Sequence, residues 1–71
     1  MMSRQNVSSS NVRSIGYDPA SQTLEVEFVD GAVYQYYGVP EAIFTAFMQE
    51  ASKGQFLNTY IKNQYGYSRI G

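Results

Sequence analysis

The stretch TLEVEFVDGAVYQYYGVP, residues 23–40, decides the fold because two strand-like runs flank a turn dipeptide. Its first half alternates apolar and acidic side chains, in the order Leu24, Glu25, Val26, Glu27 and Phe28. This period of two is typical of a strand with an apolar face buried and an acidic face in water. Asp30-Gly31 is a strong hairpin signal, and the run AVYQYY predicts the returning strand. The stretch therefore predicts an antiparallel hairpin.

The register of this hairpin decides where its tyrosines point, because a slip of one residue reverses every side chain. A two-residue loop would pair Val26 with Gln35 and would place Tyr34 and Tyr36 on the outer face. A three-residue loop, with Gly31 as a bulge, would pair Val26 with Tyr34 and would place both tyrosines on the core face. Leaving the Gln35 amide unpaired in the core costs about 1–3 kcal/mol. That cost favours the second register, and the first remains the alternative.

The rest of the chain predicts one small domain. Residues 1–9 are polar and serine-rich, which indicates a disordered tail before a single domain over residues 10–71. The run 12–17 predicts a first strand, and DPASQ at 18–22 predicts a turn. The closing GYSRIG is interpreted as a tail or a short edge strand.

Two helices are predicted after the hairpin. Pro40 suits the start of a helix over residues 41–52, with Lys53 in its last turn and Gly54 in the left-handed position beyond it. Residues 55–65 predict a second short helix with one apolar side. The predicted fold is α+β, a three-stranded antiparallel β-meander with two short C-terminal α-helices packed on one face.

Composition excludes most catalytic chemistry. The 71 residues contain no histidine and no cysteine, so the commonest general base and the commonest metal ligands are missing. No glycine-rich phosphate loop is present, and Glu25 and Glu27 on a solvated strand face make a poor metal site. We therefore expect a non-enzyme with no cofactor, no metal and no evident small-molecule substrate. The absence of a signal peptide and of a long apolar run predicts a soluble, cytoplasmic protein that does not interact with membranes.

Charge is distributed unevenly along a chain whose net charge is −1. Residues 1–51 hold all six acids and two arginines, whereas residues 52–71 hold Lys53, Lys62 and Arg69 and no acid. A basic C-terminal part is compatible with phosphate binding, although three cations that fall together by chance would give the same pattern.

Several ordered motifs resemble the KTSC domain, a family named after the C-terminal region of some lysyl-tRNA synthetases and found also as small stand-alone bacterial and phage proteins. The motifs are SIGYD (14–18), LEVEFVDG (24–31), YQY (34–36), GVP (38–40), ASKGQFLN (51–58) and IKNQY (61–65). The resemblance covers residues 8–70. It implies an accessory role in RNA binding, points to Tyr34, Tyr36 and Lys53, and supplies no catalytic residue.

Two functions follow as hypotheses. The first is an RNA-binding module, for tRNA or single-stranded RNA, in which cations contact phosphates and exposed tyrosines stack on bases. Its candidate residues are Arg13, Tyr37, Lys53, Lys62, Tyr65, Tyr67 and Arg69, with Tyr34 and Tyr36 mainly structural. The second is a protein-interaction module of bacterial or phage origin, monomeric or weakly dimeric. It would use an apolar strip of Val29, Val33 and Tyr37 on the sheet face that no helix covers.

Overall fold

Five strands form one antiparallel sheet in the order in which they occur along the chain. This computed structural model describes residues 2–71. The strands are β1 (Gln5–Asn6), β2 (Val12–Asp18), β3 (Thr23–Phe28), β4 (Val33–Tyr36) and β5 (Tyr67–Arg69). The helical elements between β4 and β5 are α1 (Glu41–Gln49), α2 (Lys53–Phe56) and a π-helical turn (Leu57–Ile61).

The predicted α+β class and the central three-stranded meander are confirmed, but the number of strands is wrong. Two edge strands, β1 and β5, extend the meander on either side. They contain only two and three residues, so neither is long enough to show an alternating pattern in the sequence. The sequence allows GYSRIG to be either a tail or a short edge strand. The structure shows a short edge strand over Tyr67–Arg69.

The β3–β4 hairpin adopts the second of the two registers. Leu24 pairs with Tyr36 and Val26 pairs with Tyr34. Gly31 has a φ of +95°, a conformation that glycine adopts at no steric cost. The Asp30 carboxylate accepts a hydrogen bond of 3.0 Å from the backbone N–H of Ala32, which stabilises the turn.

A single core lies between the sheet and the helices. Its sheet side includes Ile15, Leu24, Val26 and Tyr36, all 2 % exposed or less. Its helix side consists of four buried apolar residues, Phe47, Phe56, Leu57 and Ile61. The rings of Phe47 and Phe56 stack with their centroids 5.4 Å apart, so aromatic packing joins α1 to α2.

The helix boundaries differ from the predicted ones. Pro40 precedes α1 as expected, but α1 ends at Gln49 because Glu50 is already extended, with ψ of 133°. Lys53 begins α2 instead of ending the first helix, and Gly54 is its second residue instead of a left-handed cap. A Cβ on Gly54 would lie 2.8 Å from the side-chain amide nitrogen of Asn11. Glycine is needed at this position because Asn11 packs closely against it. Its backbone does not have a positive φ.

The N-terminal residues cover the second face of the sheet. Gln5 pairs with Ile15 and Asn6 with Ser14, so the expected disordered tail over residues 1–9 is wrong for the part of it that forms a strand. A Cβ on Gly16 would lie 2.6 Å from the carbonyl oxygen of Ser3, which shows how closely this segment crosses the sheet. Residues 2–7 are called the N-terminal arm below; Met1 lies outside the described residues.

Glu25 is buried under the N-terminal arm, although its place in the alternating pattern predicted exposure. Its side chain is 0 % exposed and forms a salt bridge with the Arg4 guanidinium. Its other carboxylate oxygen accepts a 2.9 Å hydrogen bond from the Gln35 amide. The Ser14 hydroxyl donates to Glu27 at 2.8 Å and accepts from Arg4 Nε at 3.1 Å. A charge without such partners would be too costly to bury.

We expect Tyr36→Ala to lower the free energy of unfolding by about 3–5 kcal/mol, the usual cost of removing a buried ring. Urea denaturation followed by circular dichroism measures it. The matched control is Tyr37→Ala, because the neighbouring ring is 41 % exposed on the opposite face and should cost less than about 0.5 kcal/mol. Equal stability of the two variants would contradict the observed register.

Arg4→Met should destabilise the fold by about 3 kcal/mol, the lower end of the range for breaking a buried ion pair, since Arg4 is partly in water. The expected reason is the unpaired Glu25 carboxylate, so Arg4→Met/Glu25→Gln should regain part of the loss. Thermal and urea unfolding test this, with Arg13→Met, which removes an exposed arginine of β2, as the control. An effect of Arg4→Met no larger than that of Arg13→Met would show that the Arg4–Glu25 ion pair contributes nothing to stability.

Candidate functional site

Aromatic side chains line an open cleft where the sheet extends beyond the helices. Tyr36 lies opposite Tyr67 and Tyr34 lies opposite Arg69 across the β4–β5 pair. Directly paired residues of antiparallel strands project to the same face of a sheet. The pairing therefore brings three tyrosines and an arginine together on the helix-bearing face.

The rings of this cleft contact one another and differ in their exposure to solvent. Tyr36 is buried, Tyr34 is half-buried, and Tyr67 is 62 % exposed. The Tyr67 centroid lies 5.8 Å from that of Tyr34 and 5.9 Å from that of Tyr36, with the rings tilted by about 40°. Phe28 meets Tyr34 edge-on at 5.7 Å. These distances are those of favourable aromatic pairs, so the rings stabilise one another. Phe28, Tyr34 and Tyr36 together form the floor of the cleft.

The opposite wall of the cleft comes from the end of the π-helical turn. The backbone N–H of Lys62 donates to the Leu57 carbonyl at 2.8 Å, which closes the wider π turn. The Lys62 ammonium then lies 5.8 Å from the centroid of the Phe28 ring, within range of a cation–π interaction. Asn63 follows with a φ of +69°, a region that asparagine tolerates better than most residues, and turns the chain towards β5.

Polar residues from three separate segments complete the lining. Asp30 of the β3–β4 turn, Asn11 from the segment before β2, and Asn63 after the π-helical turn all line the same cavity. Its volume is about 540 Å³, within the range of pockets that hold small ligands. We call this site the aromatic cleft, and its principal residues are Phe28, Asp30, Tyr34, Tyr36, Lys62, Tyr67 and Arg69.

The electrostatics of the aromatic cleft favour anions. Lys62 and Arg69 contribute two positive charges and Asp30 one negative charge, in a chain whose net charge is −1. Burial raises the pKa of the Tyr36 hydroxyl to about 12, and the neighbouring hydroxyls of Tyr34 and Tyr67 add to the shift. The Tyr36 phenol is therefore neutral at physiological pH and adds no negative charge to the floor.

The structure brings three of the predicted site residues together and separates four. Lys62, Tyr67 and Arg69 line the aromatic cleft. The other four lie elsewhere: Arg13, Tyr37, Lys53 and Tyr65.

Three of these four, Arg13, Tyr37 and Tyr65, make other contacts in the fold and are absent from the cleft lining. The guanidinium of Arg13 donates to the Val29 carbonyl at 3.2 Å. Tyr37 lies on the opposite sheet face, where its hydroxyl donates to the Gln35 amide oxygen at 3.3 Å. Tyr65 packs against the core.

Lys53 is a structural residue and not a surface cation. It is only 7 % exposed. Its ammonium donates to the carbonyl of Met48 at 3.2 Å and to that of Glu50 in a shorter contact. Carbonyls at a helix C-terminus lack intrahelical partners and concentrate negative charge, so a lysine there is stabilising. These contacts count against the predicted use of Lys53 for phosphate binding.

Tyr34 and Tyr36 lie on the core face, the face expected from the favoured register, and they also line the cleft. Asp30 in the turn and Asn63 after the π-helical turn line the cleft as well, although neither is a predicted site residue. Phe28, which was assigned to the core alone, is half-buried and faces the cleft as well. Tyr67 and Arg69 join these residues only through the pairing of β5 with β4.

The apolar strip predicted on the second sheet face is not formed as expected. Val33 is only 6 % exposed, because the chain after β5 covers it: Gly71 would place a Cβ 3.3 Å from the Val33 side chain. Val29 and Tyr37 are exposed, at 46 % and 41 %. The two exposed residues are therefore separated by a covered one.

The family model of the KTSC domain matches residues 8–65. The chain belongs to the KTSC domain family. A crystal structure of a KTSC domain protein from Yersinia pestis superimposes with a TM-score of 0.93 over 100 % of both chains, at 47 % sequence identity. An uncharacterized protein from Stutzerimonas stutzeri is 46 % identical over 97 % of this chain and 99 % of its own length.

This KTSC domain is also similar to a segment of a larger enzyme. A lysine–tRNA ligase from Nostoc sp. is 34 % identical over 59 residues, which are 83 % of this chain and 10 % of the ligase. The likeness therefore concerns a small part of the ligase. The family match ends at residue 65, so it includes the floor of the aromatic cleft and Lys62 but not β5.

Within residues 2–71, no cluster of three or more potential metal ligands occurs. Over the same range, no helix is both long enough and apolar enough to cross a bilayer.

Lys53→Met should lower the free energy of unfolding by about 1–2 kcal/mol, since the carbonyls at the end of α1 lose their charged partner. Lys62→Met is the matched control, because Lys62 is exposed and should change stability by less than about 0.5 kcal/mol. Urea unfolding of both variants measures the difference. The opposite order of the two effects would show that Lys53 does not cap α1.

Proposed function

We propose that this KTSC domain is a small, non-catalytic accessory module that binds RNA through the aromatic cleft. The proposal rests on one observation: an exposed tyrosine, a firm aromatic floor and two cations line a single cavity. Nucleic-acid bases stack on aromatic side chains, and Lys and Arg contact the phosphates between them. The cleft combines both kinds of group on one face.

The distribution of charge supports this assignment of the surface. Five of the six acids lie on β2, on β3 or at the ends of α1, and two of these, Glu25 and Glu27, are engaged by Arg4 of the N-terminal arm. The charged residues that line the aromatic cleft have a net positive charge, although the net charge of the whole chain is negative. With only two cations, we expect weak, salt-sensitive binding, as suits a module that assists a larger RNA-binding protein.

The relatives support the same proposal. A segment similar to this chain occurs in lysine–tRNA ligases, proteins whose named substrate is a tRNA. A domain joined to such an enzyme gains from even a weak affinity for RNA, because linkage raises its effective concentration at the bound tRNA.

A second candidate is a protein-interaction module, and the edge of the sheet favours it. β5 is a terminal strand of the sheet, and Tyr67 and Ile70 on or beside it are exposed at 62 % and 42 %. An open strand edge with apolar side chains can accept a strand from a partner. β5 has only three residues, however, which limits the pairing it can offer.

The salt dependence of RNA binding tests the first proposal. For a single strand, each phosphate neutralised contributes about −0.7 to the slope of log affinity against log salt, so Lys62 and Arg69 together predict a slope of about −1.4. Lys62→Gln and Arg69→Gln should each reduce the slope by about half. NMR titration of labelled protein with short single-stranded RNA and with tRNA, at several salt concentrations, provides the affinities.

Arg13→Gln is the matched control, since it removes an exposed cation that lies outside the cleft lining. It should leave the slope unchanged. If no RNA causes shifts even at low salt, the RNA proposal is wrong, and strand addition at β5 becomes the better explanation. Light scattering would then be expected to reveal a dimer or larger species at high protein concentration.

A further inference from the structure

We infer that the aromatic cleft receives one unpaired RNA base that has an exocyclic amino group, stacked on Tyr34 and Tyr67. This inference rests on the proposed function and makes it more specific. It assigns the cleft to single-stranded RNA, and it assigns to Asp30 the recognition of the base edge.

The shape of the cleft favours a single base over a duplex. Its volume of about 540 Å³ is suited to one small flat ligand, and its floor is formed by partly buried rings below the level of Tyr67. In an RNA duplex the faces of the bases are already stacked, so a protein ring cannot reach them. Two cations are also few for a duplex backbone. An unstacked base is the ligand that offers a flat face to this floor.

The arrangement of the rings leaves Tyr67, and part of the half-buried Tyr34, in water. Tyr67 is 62 % exposed, while its inner side lies 5.8 Å from Tyr34 and 5.9 Å from Tyr36. The neighbouring rings of Tyr34 and Tyr36 restrict the Tyr67 ring, so little entropy is lost when a base stacks on it. Lys62, held near the Phe28 ring across the cleft, is placed to meet the phosphate of that nucleotide.

The polar lining is suited to the edge of a base. One carboxylate oxygen of Asp30 accepts the Ala32 N–H at 3.0 Å, which fixes the position of the side chain in the turn. A carboxylate only accepts hydrogen bonds, so Asp30 matches bases with an amino group and opposes the carbonyl oxygens of uracil. Asn11 and Asn63 line the same cavity and can donate or accept.

The first experiment compares the affinity of the protein for short oligomers of adenosine, cytidine and uridine and for an RNA duplex, by NMR titration at low salt. We expect the adenosine and cytidine oligomers to bind best, with shifts at Tyr34, Lys62 and Tyr67. Tyr67→Leu should weaken the binding of single strands about tenfold, within the range measured for base–aromatic stacking. Tyr37→Leu, on the opposite face, should leave it unchanged.

A second variant tests the recognition of the base edge independently of overall affinity. Asp30→Asn keeps an oxygen to accept the Ala32 N–H, and so keeps the turn, but replaces the other oxygen with a donor. The ratio of cytidine to uridine affinity should fall by several-fold, even if the lost negative charge strengthens binding to both. An unchanged ratio would overturn the role of Asp30.

The outcomes separate this inference from the proposed function. If the duplex binds as well as the single strands, or if Tyr67→Leu and Tyr37→Leu have equal effects, the inference is wrong while RNA binding remains. If every oligomer and the duplex fail to bind at low salt, the proposed function itself is wrong.

Discussion

The register of the β3–β4 hairpin is the constraint on which the other features depend. The bulge at Gly31, with φ of +95°, pairs Val26 with Tyr34 and Leu24 with Tyr36. A shift by one residue would move both tyrosines to the face under the N-terminal arm and would bury Gln35 in the core. The core beneath the helices, the polar network on the other face and the aromatic cleft all require the observed pairing.

Local signals in the sequence are sufficient to predict the hairpin and its register. They are insufficient to predict the structure at the two ends of the chain. The Asp-Gly turn and the cost of burying Gln35 are properties of adjacent residues, so they could be evaluated without tertiary structure. The burial of Glu25 could not, because it depends on Arg4, which lies 21 residues earlier in the chain. Lys53 is predicted at the C-terminus of the first helix, and its ammonium does bind there. The residue itself, however, belongs to the first turn of α2 and not to α1.

The same limit explains how much of the site could be predicted. Lys62, Tyr67 and Arg69 were selected because the C-terminal part lacks acids, and they do lie together. The floor of the site was missed because Tyr34 and Phe28 were assigned to the core, as if burial and binding excluded each other. In a domain of this size the edge of the core is also a surface, and half-buried rings belong to both.

The order of the strands also has a consequence for folding kinetics. Neighbouring strands from β1 to β4 are consecutive in the chain, so each pairing closes only a short loop and costs little entropy. The β4–β5 pairing instead closes the segment from residue 37 to residue 66, which includes both helices. We expect this contact to form late and to open first, since long loops delay pairing and three-residue edges separate easily. Because β5 forms one wall of the aromatic cleft, the site can open and close by local opening while the core remains folded.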